Sequence, residues 1–124
     1  MSRYIRQFAP NGGPNWQSEP LTPIEFHVLA ELVKAPSHAY ELARQIIIDS
    51  DERFAVTVAG ISYALKRMAG VGWVEPAADT AGAPRRTPRA FRLTAEGTRQ
   101  LEVELMRMNR IAGLVERWLA DSRG

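Results

Sequence analysis

A long amphipathic segment near the carboxyl end limits the possible folds of this 124-residue chain more than any other feature. Between residues 95 and 120, apolar residues recur at spacings of 4, 3, 4, 3 and 4, which is the pattern of a coiled-coil seam. No other predicted helix is long enough to cover this stripe, so it predicts a dimerisation helix and a second copy of the chain as its partner. The predicted interface consists of Leu101, Leu105, Met108, Ala112, Val115 and Leu119, widened on one flank by Ile111, Leu114 and Trp118.

Two shorter helices are predicted at the start of the sequence that precedes this segment. Thr22-Pro23-Ile24-Glu25 combines a capping Thr, a Pro where no N–H is needed and a Glu at the capping-box position. Pro36 ends this first helix near Lys34 or Ala35. Ser37 is predicted to cap the second helix, which a polar break at residues 49–52 terminates.

A third helix is predicted over residues 58–70, with Thr57 as its cap. Ile61, Leu65 and Met68 lie at helical spacing and form its core face. The opposite side presents a different set of residues, small at the start and cationic at the end. This outward set comprises Ala59, Tyr63 and Lys66, flanked by Ser62 and Arg67.

A β-hairpin is predicted between the third helix and the long one. Residues 73–75 and 89–93 read as short strands, with a Gly- and Pro-rich basic tip between them, and Trp73 is expected in the core beneath the hairpin. The fold class is therefore mainly α with a small β-hairpin, a winged helix-turn-helix followed by a long C-terminal dimerisation helix. The predicted parts are an N-terminal arm (1–20), a winged-helix domain (21–94) and the dimerisation helix (95–124).

Positive charge is concentrated around the third helix and the hairpin. Residues 53–99 hold eight basic and three acidic residues, a charge of +5, whereas the remainder holds eight basic and eleven acidic residues, a charge of −3. Fourteen of the sixteen basic residues are Arg, which suits bidentate contact with phosphate or guanine. This distribution indicates an anionic partner for that stretch.

Several other classes of protein are not expected. The chain has no Cys, and its two histidines, His27 and His38, do not form an HxxxH or HExxH motif. We therefore expect no enzyme, no metal site and no cofactor. No apolar run approaches the ~18 residues of a membrane span, and the first residues lack the apolar stretch of a secretory signal, so we expect a cytoplasmic location.

Five sequence motifs occur in order between residues 21 and 97: LTPIE with VL, HAYEL, GISY with LKRM, GWVE, and FRLTAEG. In these motifs and their spacing the chain resembles the PadR family of bacterial transcriptional regulators, in its short form with a single C-terminal dimerisation helix. It departs from the family pattern at Ala39, where Gly is usual, at Ile61-Ser62, where Thr-Leu is usual, and in the wing, where Thr87-Pro88 follow Arg85-Arg86.

The resemblance implies a homodimer that binds a two-fold related operator, usually as a repressor, and in many members responds to a small aromatic or drug-like effector. It places Tyr40, Thr57, Tyr63 and Lys66 at DNA-contacting positions. Together with the outward face of the third helix and the wing, the predicted DNA-binding set is Ser37, Tyr40, Thr57, Ala59, Ser62, Tyr63, Lys66, Arg67, Arg85, Arg86 and Arg89.

Three alternative functions stay open at this point. A winged-helix module that binds proteins and not DNA would expose apolar residues on the third helix. A membrane-surface or architectural binder would show no sequence preference. A MarR-like regulator would normally add helices before the first one here. For single residues, the alternatives are a half-buried structural role for Tyr63 and simple solvation for Lys66, Arg67, Arg85 and Arg86.

Overall fold

The computed structural model describes residues 21–77 and 89–124, so the predicted N-terminal arm and the basic tip that contains Arg85 and Arg86 lie outside the described residues. The elements follow the predicted order of three helices, a hairpin and a long helix. They are α1 (Pro23–Leu32), α2 (Ala39–Asp49), α3 (Val58–Gly70), β1 (Val74–Pro76), β2 (Phe91–Leu93) and α4 (Ala95–Arg123). The predicted fold class, a winged helix-turn-helix with a long C-terminal helix, is confirmed.

The capping box predicted for α1 is present. Thr22 Oγ1 accepts a hydrogen bond from the Glu25 backbone N–H (3.2 Å), and Glu25 Oε1 accepts one from the Thr22 N–H (3.0 Å). The helix ends two or three residues earlier than the sequence predicts, because the backbone tightens after Leu32. The N–H groups of Val33 and Lys34 donate to carbonyls three residues back, which is the usual way a last turn satisfies its carbonyls.

The prediction that Ser37 caps α2 is wrong. The cap is His38, whose Nδ1 accepts a hydrogen bond from the Glu41 backbone N–H at 3.4 Å. Ser37 instead pairs its backbone N–H and carbonyl with those of Phe91. That pairing fixes Ser37 in an extended conformation beside the hairpin, so the helix begins one residue later.

The core of the winged helix is built from the apolar faces of α1, α2 and α3. Val28, Leu29, Ile46, Ile61 and Met68 have no exposed surface. The core face predicted for α3 is therefore confirmed, and burying it leaves the opposite side of that helix in solvent.

The hairpin is short and antiparallel, with Val74 opposite Leu93 and Pro76 opposite Phe91. Strand β1 is shifted by one residue from its predicted position, and β2 begins two residues later than predicted. Trp73 precedes β1, is 8% exposed and belongs to the core as expected. The hairpin is thus anchored on the helices by the ring of Trp73.

The first turn of α4 lies against the base of the hairpin. Thr94 caps the helix, its backbone N–H donates to the Trp73 carbonyl (3.1 Å), and its hydroxyl donates to the Gly72 carbonyl (2.6 Å). Gly97 is buried at this contact, and only glycine fits there because a Cβ at this position would overlap the carbonyl oxygen of Trp73. One turn later Leu101 enters the core, and beyond it the apolar side chains of α4 are largely exposed.

Candidate nucleic-acid interface

The outward face of α3 is an exposed surface that begins with small residues and ends with a cation. Ala59, Ser62 and Lys66 are all exposed, and Tyr63 is 74% exposed. The half-buried structural role considered for Tyr63 is therefore excluded. An exposed α-helix can enter the major groove of B-DNA. Small residues at its start permit close approach, and tyrosine and lysine side chains are long enough to reach base edges and phosphates.

Tyr40 extends this surface onto the first turn of α2, where its ring is 64% exposed. The neighbouring Glu41 carboxylate faces Arg44, whose Nε and Nη2 donate to it at 3.2 and 3.1 Å. The hydrogen bond from Arg44 holds the pKa of Glu41 below its usual value. The one acidic residue next to Tyr40 thus carries its own counter-ion and adds little repulsion toward an approaching phosphate.

Two residues of the predicted DNA-binding set make structural hydrogen bonds. Thr57 Oγ1 accepts a bond from the Gly60 backbone N–H at 2.9 Å and so caps α3. Ser37 is half-buried, with its backbone paired to Phe91. Thr57 is exposed and lies at the edge of the outward face of α3. Ser37 has mainly a structural role, because its pairing with Phe91 fixes where α2 begins.

Arg67 does not share the outward face with Tyr63 and Lys66. Its Nε lies 3.1 Å from Oε2 of Glu25, whose side chain is only 3% exposed, and its guanidinium carbon is 5.8 Å from the ring centroid of Trp73. The sequence interpretation assigned Glu25 to capping alone and Arg67 to DNA. The structure shows instead that the second carboxylate oxygen of Glu25 pairs with Arg67. These contacts join α1, α3 and the base of the hairpin, so Arg67 holds α3 in position.

The ion pair of Arg67 predicts a stability effect that a surface cation would not show. Replacing Arg67 with Ala leaves the Glu25 carboxylate buried without this cation, and we expect the free energy of unfolding to fall by roughly 2 kcal/mol. Lys66→Ala, at the exposed neighbouring position, should change it by less than about 0.5 kcal/mol. Urea unfolding at a fixed protomer concentration measures both.

A double variant separates charge from packing. In Arg67→Ala with Glu25→Gln, the buried group is neutral and its amide oxygen still accepts the Thr22 N–H, so most of the lost stability should return. Additive losses in the double variant would contradict the assignment of the effect to the ion pair.

The wing contributes one described cation to the surface, Arg89, which is exposed. Arg92 is instead used within the hairpin, where its Nε lies 2.8 Å from Oε2 of Glu75 on the opposite strand. In the described ranges 21–77 and 89–124, neither Lys66 nor Arg89 has an acidic side chain within ion-pair distance. Both charges are available to an anionic partner.

The predicted dimer interface is exposed along most of α4, with one correction. Leu101 is 5% exposed and belongs to the core of its own protomer, so it is not part of the exposed seam. Apart from Leu114, which is half-buried, the remaining predicted residues form a surface, here called the apolar face of α4, on which Trp118 is 59% and Ile111 51% exposed. The apolar face comprises Leu105, Met108, Ile111, Ala112, Val115, Trp118 and Leu119.

Neither a metal-ligating cluster nor a membrane-spanning helix is found in the described part of the chain. No group of three or more His, Asp or Glu side chains there is placed to hold a metal ion. Within the same residues, none of the helices combines the length and hydropathy needed to cross a bilayer.

This fold is similar to that of solved transcription regulators. A PadR-family regulator from Clostridium difficile is 22% identical, with a TM-score of 0.62 over 79% of this chain and 99% of that chain. A PadR-like regulator from Bacillus cereus is 21% identical, with a TM-score of 0.62 over 77% and 90% of the two chains. ZitR from Lactococcus lactis, solved in complex with DNA, is 17% identical, with a TM-score of 0.57 over 94% and 76%.

The similarity is one of fold. No family model matches the sequence, and no curated protein matches it. The resemblance to PadR regulators predicted from the sequence motifs is confirmed at the level of the three-dimensional structure: the chain has the winged helix-turn-helix and long C-terminal helix of these proteins.

Proposed function

We propose that the protein is a DNA-binding transcriptional regulator of the PadR type that acts as a homodimer on a two-fold related operator. The observation that carries this proposal is the exposed surface formed by Tyr40, Tyr63 and Lys66 on adjacent turns of α2 and α3. Two solved structures of this fold are named as PadR-type transcription regulators, and a third, ZitR, is solved in complex with DNA; these similarities support the proposal.

The geometry of the proposed dimer follows from α4. Its apolar face is too large to leave in water, since monomeric soluble proteins rarely expose contiguous apolar patches of several hundred Å². Pairing two such faces relates the two copies of α3 by a two-fold axis. Half-sites should then lie about one turn of DNA apart, roughly 34–36 Å.

The composition of the α3 surface favours DNA over a protein partner. A protein-binding helix would expose mainly aliphatic side chains. The outward face here consists of Ala59, Ser62, Tyr63 and Lys66, with Val58 as the exposed aliphatic residue at the start of the helix. The pair of uncompensated cations, Lys66 and Arg89, suits phosphate. We infer repression from the PadR resemblance alone, and the small aromatic or drug-like effector that the resemblance implies stays a prediction.

Lys66→Ala tests the proposed contact. We expect weaker binding to duplex DNA and a smaller salt dependence, with the slope of log K against log salt reduced by about one unit for each protomer, or about two for a dimer. Fluorescence anisotropy with a labelled duplex over a series of salt concentrations measures it. Arg117→Ala, which removes an exposed cation near the far end of α4, is the matched control and should leave the slope unchanged.

Sequence specificity requires a separate measurement. A nuclease footprint on the DNA upstream of the coding region should show a protected site with two-fold related halves. Uniform protection along the DNA would instead support the architectural alternative, and an unchanged salt slope for Lys66→Ala would remove this residue from the interface.

A further inference from the structure

A recess of about 290 Å³ lies on α4, beyond the point where Leu101 enters the core. Its described lining residues are Val103, Met106, Arg107 and Arg110, and all of them belong to this one helix. Residues three and four positions apart share one side of a helix, so these side chains form a single wall. A further segment of protein is needed to close the recess from the other side.

The recess does not coincide with the apolar face of α4. Met106 lies two residues from Met108, which is a rotation of about 200° around the helix axis. A second protomer that packs on the apolar face therefore leaves the recess uncovered. It is also separate from the outward face of α3 and from the wing, because no described residue of either contributes to its lining.

The side chains of the recess suit an aromatic ring. Val103 is half-buried, and Met106 is 71% exposed, so both offer apolar surface, and a thioether makes favourable contacts with rings. The guanidinium of Arg107 is held by Glu104, with Nη1 2.8 Å from Oε1, and Arg110 is exposed beside it. Guanidinium groups stack on aromatic faces, and tryptophan is the strongest partner for a cation.

Two stretches of the chain, residues 1–20 and 78–88, lie outside the described residues and could supply such a ring. The tip of the wing, 78–88, contains no aromatic residue. It also leaves the hairpin at the end far from α4: Ala77 donates its N–H to the Ala90 carbonyl at that end, whereas Leu93 at the other end leads directly into α4. The N-terminal arm is therefore the candidate.

The length of the arm matches the distance to the recess. The arm joins the described structure at Leu21, which packs in the same core cluster as Leu101 of α4. Trp16 lies five residues before Leu21, and Pro20 favours extended backbone in the residue before it, so the indole can lie roughly 16 Å from Leu21. Along the axis of α4, Met106 is only about 7.5 Å beyond Leu101.

We propose that the N-terminal arm docks in this recess of its own protomer, with the indole of Trp16 against Met106 and the guanidinium groups of Arg107 and Arg110. The arm then attaches α4 to the winged helix at a second point beyond Leu101. Docking is independent of the proposed DNA binding. Because it uses neither the apolar face nor the DNA surface, a variant that releases the arm keeps both.

Proton NMR on the full chain tests the contact directly. A NOESY spectrum should show cross-peaks between the indole protons of Trp16 and the methyl group of Met106. Absence of these cross-peaks, or cross-peaks from Met106 to residues 78–88 instead, would overturn the proposal. Cross-peaks that appear only between differently labelled protomers of a mixed sample would assign the recess to the partner's arm and overturn docking within one protomer.

Two pairs of variants test the same contact from both sides. Trp16→Ala should shift the amide signals of residues 103–110, whereas the neighbouring change Gln17→Ala should not. Met106→Glu places a charge against the ring and should move the Trp16 indole signal to its position in an unfolded chain, whereas Met106→Leu keeps an apolar contact and should retain the wild-type signal. Both positions tolerate substitution because Met106 is exposed and Trp16 lies outside the core cluster. An unchanged indole signal in Met106→Glu would overturn the proposal.

Discussion

Replacing Gly97 with Ala should destabilise this fold by about 3 kcal/mol or more, a loss at the upper end of overpacking substitutions. The position is buried in the first turn of α4, and the added Cβ would overlap the carbonyl oxygen of Trp73, a backbone atom that cannot move aside as a flexible side chain can. The same carbonyl accepts the Thr94 N–H. Relieving the overlap therefore breaks the junction between the hairpin and α4.

Gly113→Ala is the matched control for this prediction. It makes the same chemical change in the same helix, but nothing lies within 4 Å of the added Cβ. Because Ala is the better helix former, the control should gain about 0.5–1 kcal/mol. Urea unfolding at one protomer concentration measures both variants, since the stability of a dimer depends on concentration. A Gly97→Ala protein as stable as the wild type would show that α4 does not approach the hairpin this closely.

The second large effect is expected at the centre of the apolar face of α4. Val115→Glu places a charge among residues that the proposed dimer buries, so the protein should become monomeric. Duplex affinity should then fall on the order of 10²-fold, because two recognition helices no longer act as one bivalent unit. Sedimentation velocity measures the mass, and anisotropy measures the affinity.

Met106→Glu provides the control for Val115→Glu. It likewise replaces an apolar residue of α4 with a charged one, but on the side of the helix opposite the apolar face, where Met106 is 71% exposed. This variant should remain a dimer with wild-type affinity. An intact dimer in Val115→Glu would contradict the proposed interface, and monomers in both variants would show that net charge, and not the apolar face, controls assembly.

Local sequence signals were sufficient to place the elements of the winged helix. Thr22 and Thr57 each cap the helix that the sequence predicts they begin. The spacing of Ile61, Leu65 and Met68 identified the buried side of α3, and with it the exposed position of Tyr63 and Lys66. Capping and periodicity depend on residues a few positions apart, which is why a single sequence reveals them.

The assignments that failed depend on contacts between distant parts of the chain. Ser37 pairs with Phe91, which leaves the cap of α2 to His38. Arg67 pairs with Glu25, and Leu101 enters the core of its own protomer. A helical wheel ranks residues by direction only, so it cannot distinguish a cation that meets a buried carboxylate from one that meets solvent.

The order and type of the helices, and the side of each that is buried, can be predicted from the amino-acid sequence, because they follow from local hydrogen bonds and the 3.6-residue repeat. Which side chains remain available at the surface depends on the three-dimensional fold, because burial and pairing are properties of neighbours in space. Glu25 and Arg67 are 42 positions apart in the sequence, yet they form one ion pair.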